Sequence, residues 1–154
     1  MKTVPIILVI AVTLFFCGCG PKLTMTVETR DAQGSVIERA DVTNADTSGR
    51  TFRADGKGTI NLTALAEDSD GLQALRFEGG FSCNRSAGTT GQVEQGTYLA
   101  IDPNLPGQHP TSETFTKQIG VQCSGGTYSA TIHACATDTK NGSTCTKDAT
   151  LHAP

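Results

Sequence analysis

Apolar residues in this chain recur at alternate positions, and that regularity does most to restrict its fold. In residues 58–68, Ile60, Leu62, Ala64 and Ala66 share one face. The same spacing aligns Phe115, Ile119 and Val121 in 114–123, and Tyr128, Ala130, Ile132, Ala134 and Ala136 in 127–138. A side-chain period of two marks a strand with one buried face. Weaker versions occupy 23–29, a short segment around Val36, 72–81 (Leu75 and Phe77), 93–101 and 143–153. Between them stand Asp31-Ala-Gln-Gly34, Asp68-Ser-Asp-Gly71, Gly125-Gly126 and Asn141-Gly142, all turn formers. Residues 43–58 read as a polar stretch, and 82–92 and 102–113 as loops. No window has helical amphipathicity. Seven or eight such strands in about 130 residues predict an all-β chain folded as an antiparallel β-sandwich.

The residues Ala64-Leu-Ala66-Glu-Asp68-Ser-Asp70-Gly71, then Tyr128-Ser-Ala130 and Ala136-Thr-Asp138-Thr-Lys-Asn-Gly142, resemble bacterial immunoglobulin-like domains. Those domains carry an Ala-x-Asp…Asp-Gly corner between two strands and an Ala-x-Asp…Gly hairpin near the C-terminus. The resemblance covers roughly residues 55–153, within a single domain spanning 24–153. It implies an immunoglobulin-like sandwich and says little about activity. The family's frequent core tryptophan is missing, because the chain has no Trp. Tyr128 falls where such sandwiches place a tyrosine corner, and plain core packing accounts for it equally well.

The first residues read differently. A basic Met1-Lys2 leads into an uncharged apolar run to Phe16, too short for a typical membrane span and suited to a signal-peptide core. Phe16-Cys17-Gly18-Cys19 resembles the lipobox of bacterial lipoproteins. The resemblance implies a signal peptide at 1–18, an acylated Cys19 and a tether at 19–23. Several acyl chains on one cysteine would hold the chain stably in a membrane. Gly20, rather than an aspartate, follows the cysteine, which favours the outer membrane of the cell envelope. Losing residues 1–18 removes Lys2 and leaves 11 Lys+Arg against 15 Asp+Glu. An acidic balance of that kind offers no electrostatic footprint for nucleic acid.

Four cysteines would remain: Cys83, Cys123, Cys135 and Cys145. An even number in an exported chain favours disulfides over metal ligation. With antiparallel neighbours, Cys83 and Cys123 end their strands at one end of the sandwich, while Cys135 and Cys145 lie near the other. Cys123 and Cys135 are separated by roughly 25 Å of strand, beyond disulfide reach. The predicted pairs are therefore Cys83–Cys123 and Cys135–Cys145. One misfit is visible in advance: Cys145 shares parity with Ala149 and Leu151, whereas Cys135 is out of step with Ile132 and Ala134. A bulge near Gly142 would reconcile them.

Candidate chemistry is sparse. The same topology gathers Glu67, Asp68 and Asp70 of one turn, Asp138 of another and Asp102 of a third loop at one end. Carboxylates from three loops could hold Ca²⁺, although Asp and Gly also simply make turns. The chain contains no nucleophile elbow, zinc-binding H-E-x-x-H or phosphate loop. His109, His133 and His152 lie far apart in sequence and read as surface residues. Outside the leading segment the rings are Phe52, Phe77, Phe81, Phe115, Tyr98 and Tyr128, few for a glycan platform. The expectation is a non-enzymatic module without a cofactor, presenting loops to an envelope protein partner. Gly88, Gln108 and Lys140 mark those loops. A calcium- or glycan-binding module and a purely structural lipoprotein are the alternatives.

Overall fold

The computed structural model of the chain describes residues 20–85, 92–123 and 125–154, and Cys19 and Gly88 lie outside them. It is all-β. In chain order the strands are β1 Lys22–Arg30, β2 Val36–Thr43, β3 Arg50–Arg53, β4 Thr59–Glu67, β5 Leu72–Arg85, β6 Gln92–Ile101, β7 Ser112–Gly120, β8 Gly126–Asp138, β9 Ser143–Cys145 and β10 Ala149–Ala153. One sheet has the order β2-β1-β4-β7; the other runs β3-β10-β8-β5-β6, with β9 also paired to β8.

The alternation seen in the sequence becomes burial. Leu23, Met25 and Val27 of β1 and Ile60, Leu62, Ala64 and Ala66 of β4 are all completely buried. They face Leu75 and Phe77 of β5, and Ile132, Ala134 and Ala136 of β8 across the inter-sheet space. Each large aliphatic or aromatic side chain so buried contributes about 1.5–3 kcal/mol relative to exposure. Without tryptophan, the sheets meet through an aromatic pair: Phe77 of β5 stacks on Phe115 of β7 with ring centroids 5.3 Å apart.

Several boundaries differ from the sequence expectation. The polar stretch 43–58 contains β3, which pairs in parallel with β10 at the sheet edge. Its one inward residue, Phe52, is buried, and a single apolar residue in four gives no period to detect. β5 runs on to Arg85 and β6 begins at Gln92, so residues 82–85 and 92 of the segment read as a loop are strand. There Phe81 lies opposite Gly96, and its ring covers the space that a side chain at Gly96 would fill. The final strand is broken into β9 and β10.

That break explains the cysteine parity. Cys135 pairs with Cys145, and Ile132 pairs with Ala149. Three steps along β8 thus match four along the partner, so one extra residue lies between Cys145 and Ala149. Thr146 fills the gap: its N–H donates to Ala134 O at 2.9 Å and its Oγ1 accepts from Ala134 N at 3.1 Å. The extra residue turns Cys145 outward with Cys135 and returns Ala149 and Leu151 to the core. The irregularity therefore sits after Cys145 rather than near Gly142.

Candidate functional site

Both predicted disulfides are present. Cys83–Cys123 has a Cα–Cα distance of 5.6 Å, and Cys135–Cys145 one of 4.1 Å. The first ties β5 of one sheet to the segment following β7 of the other; the second clips β8 to β9 within one sheet.

The three acidic loops do meet at one end. Thr139 N–H donates to Gly71 O at 2.9 Å, and Thr139 Oγ1 donates to Asp70 O at 2.7 Å. Asp68 N–H donates to Thr111 O at 2.9 Å, and Leu72 N–H donates to Pro110 O at 2.7 Å. Gly71 has φ +89°, and a Cβ there would stand 2.7 Å from His109 O, so the Asp-Gly corner admits no side chain. Leu105 anchors the long loop by full burial.

Most of the carboxylates have partners; the exception is Asp102 Oδ2, which is buried with no hydrogen-bond partner among the described residues. Asp138 is buried, and its Oδ1 accepts from Lys140 N–H at 2.8 Å and Gly142 N–H at 2.7 Å. Asp68 Oδ1 accepts from Asp70 N–H at 2.8 Å, and Asp102 Oδ1 from Asn104 N–H at 2.9 Å. Asp70 Oδ1 meets Lys140 Nζ at 2.7 Å, and Glu67 reaches only Lys22 Nζ, at 3.8 Å. Asp70, with Asp138 and Asp68 behind it, holds the Lys140 ammonium above the ordinary lysine range. Lys140 thus brings a positive charge to Asp70, one of the five acidic residues that the sequence grouped as calcium ligands. Among the described residues, the only three metal-ligating side chains brought within 4.8 Å of one another are His133, Cys135 and Cys145. Their two sulfurs are bonded to each other, so they offer no thiolate.

The same end receives the start of the described chain. A Cβ on Gly20 would lie 2.6 Å from Thr144 Oγ1, Pro21 is buried, and Lys22 pairs with Glu67. Exposed Gln108 and Lys140 therefore sit at the entry end.

The opposite end is tied together independently. Val121 N–H donates to Gly58 O at 2.9 Å and Cys123 N–H donates to Gly56 O at 2.7 Å, while Ala32 N–H donates to Asp55 Oδ2 at 3.1 Å. Just inside it, a cavity of about 210 Å³ opens between the sheets, lined among others by Phe81, Tyr98, Ile119, Tyr128 and Ile132, with the Cys83–Cys123 bridge in its wall. Burial raises the hydroxyl pKa of both Tyr98 and Tyr128. Sequence reasoning missed this cavity, since its lining comes from β5, β6, β7 and β8 and no local pattern marks it. No protein-family model matches the chain, and no curated protein matches it.

Proposed function

We propose that the chain is a lipid-anchored, non-enzymatic binding module of the bacterial cell envelope, held by Cys19 and built on an immunoglobulin-like domain. Two features support the reading. The sheet β1-β4-β7 facing β10-β8-β5-β6 follows the A-B-E against G-F-C-C′ arrangement of immunoglobulin-like sandwiches. The lipobox-like Phe16-Cys17-Gly18-Cys19 supplies the anchor, and Gly20 after it favours the outer membrane.

The observation that carries the reading furthest is the position of Gly20 against Ser143 and Thr144. One residue spans at most about 3.6 Å, so an acylated Cys19 would leave almost no spacer. The loops at 68–71, 102–111 and 139–142 would then face the bilayer. The opposite end, roughly 30 Å away along a strand of this length, would face the partner. It comprises the turn at 31–34, residues 55–58 and the segment Val121–Cys123, and β5 ends there at Arg85.

In-cell photo-crosslinking tests this. Probes at Gln33, Lys57 and Gly88 are expected to capture one discrete envelope protein, while Gln108 and Lys140 capture none. Capture from Gln108 and Lys140 alone would reverse the orientation. Silence at all five positions on well-expressed protein would remove the partner.

A further inference from the structure

The cavity between the sheets does not depend on how the chain is anchored. Its rings come from Phe81, Tyr98 and Tyr128, and its aliphatic wall from Ile119, Val121 and Ile132. Core packing normally closes such spaces. Here Gly80, Gly120 and Ala130 stand in the lining and contribute little side-chain volume to fill it. A dry cavity of about 150 Å³ is enough to hold benzene, so about 210 Å³ has room for a substituted ring.

Two polar features narrow the ligand. The Tyr98 hydroxyl is buried and has no hydrogen-bond partner among the described residues, an arrangement native proteins rarely leave uncompensated. Among the described residues, Glu94 is the one formally charged residue of the lining, and Arg85 Nη2 stands 3.7 Å from its carboxylate. A ligand cation would have to compete with that guanidinium, and a quaternary ammonium would give the phenol nothing to donate to. An anion would meet Glu94 and an apolar wall.

We infer that this cavity binds a small uncharged aromatic molecule carrying one hydrogen-bond acceptor, with Tyr98 donating to that acceptor. The rings and aliphatic wall would supply the burial, and the phenol the selectivity. Lining residues Val121 and Cys123 belong to the end that faces away from Gly20.

The test uses the full chain purified in detergent, with protein-free detergent solution as reference. The probes are acetophenone and α-methylstyrene, which share a shape and differ in the carbonyl oxygen. Saturable acetophenone binding is expected, about fivefold tighter than that of α-methylstyrene, the size of one hydrogen bond. Tyr98→Phe should erase that preference, so that the two probes bind with about equal affinity. Ala130→Leu, which fills the cavity, should weaken both probes; if it unfolds, Ile119→Phe at the half-buried margin decides instead. The inference is overturned by the absence of saturable binding, by a carbonyl preference that survives Tyr98→Phe, or by undiminished binding in a folded, filled variant. Displacement by tetramethylammonium would replace it with a cation site. None of these outcomes depends on partner capture, so the two readings fail separately.

Discussion

On the outer faces of the sheets, individual carboxylates do their work through their neighbours. Glu28 of β1 lies between Arg39 of β2 and Asn61 of β4. Its Oε1 accepts from Arg30 Nε at 2.6 Å and from Asn61 Nδ2 at 3.2 Å. The Arg30 and Asn61 hydrogen bonds hold its carboxyl below the ordinary 4.5 against a smaller desolvation cost. Glu78 behaves likewise, with its pKa lowered chiefly by Arg76 and secondarily by the charge of His133. A carboxylate whose folded pKa is depressed contributes stability above the unfolded pKa, and that contribution is lost as pH falls through the folded value. Glu28→Gln should therefore lower the urea midpoint at pH 6. Parent and variant should converge as the pH drops below 4.5 towards the folded pKa. A gap that stayed constant to the acid end would mean that packing, rather than charge, is what Glu28 supplies. Arg30 is a neighbour on β1, but Arg39 and Asn61 come from β2 and β4, and nothing in the local sequence around Glu28 announces those two.

At the scale of elements, legibility tracks the strength of the alternation. β4 and β8 present four and five apolar residues at period two, and their expected limits differ from those observed by a residue. β3 offers Phe52 alone, and β2 has only Val42 fully buried on a sheet edge, so neither extent could be read from pattern. The β9–β10 break shows a different kind of limit. Parity exposed a conflict between Cys145 and Cys135, but only the register reveals that residues 146–148 absorb it. Deleting Lys147 makes the point testable. Removing one residue flips every side chain beyond it to the other face, so either Ala149 and Leu151 leave the core or Cys145 turns away from Cys135. The deletion variant should lose the cooperative unfolding transition or expose two free thiols on quantitative labelling. A variant that kept both a sharp transition and two intact disulfides would show that the extra residue is dispensable.

For the molecule as a whole, the two disulfides are separate devices at opposite ends. Cys83–Cys123 joins the sheets and closes a loop with a sequence separation of 40; Cys135–Cys145 joins neighbouring strands with a separation of 10. The chain-entropy relation assigns about 4 kcal/mol to the first and about 3 kcal/mol to the second. Their pairing was legible because strand direction alone places each cysteine at an end. Their difference in role was not, because it depends on which sheet each strand joins. Since the bridges share no partner, their removal should be nearly additive. Small domains have only about 5–15 kcal/mol of stability in total. Losing both bridges should therefore bring the fold close to its unfolding threshold. The check is a double-mutant cycle by urea denaturation: Cys83→Ala/Cys123→Ala, Cys135→Ala/Cys145→Ala and the variant lacking all four. The first pair should cost more than the second, and the combined loss should approach their sum. If the short bridge proved the costlier, its value would lie in the native β8–β9 hairpin rather than in constraining the unfolded chain. The entropy ranking would then be wrong for this sandwich.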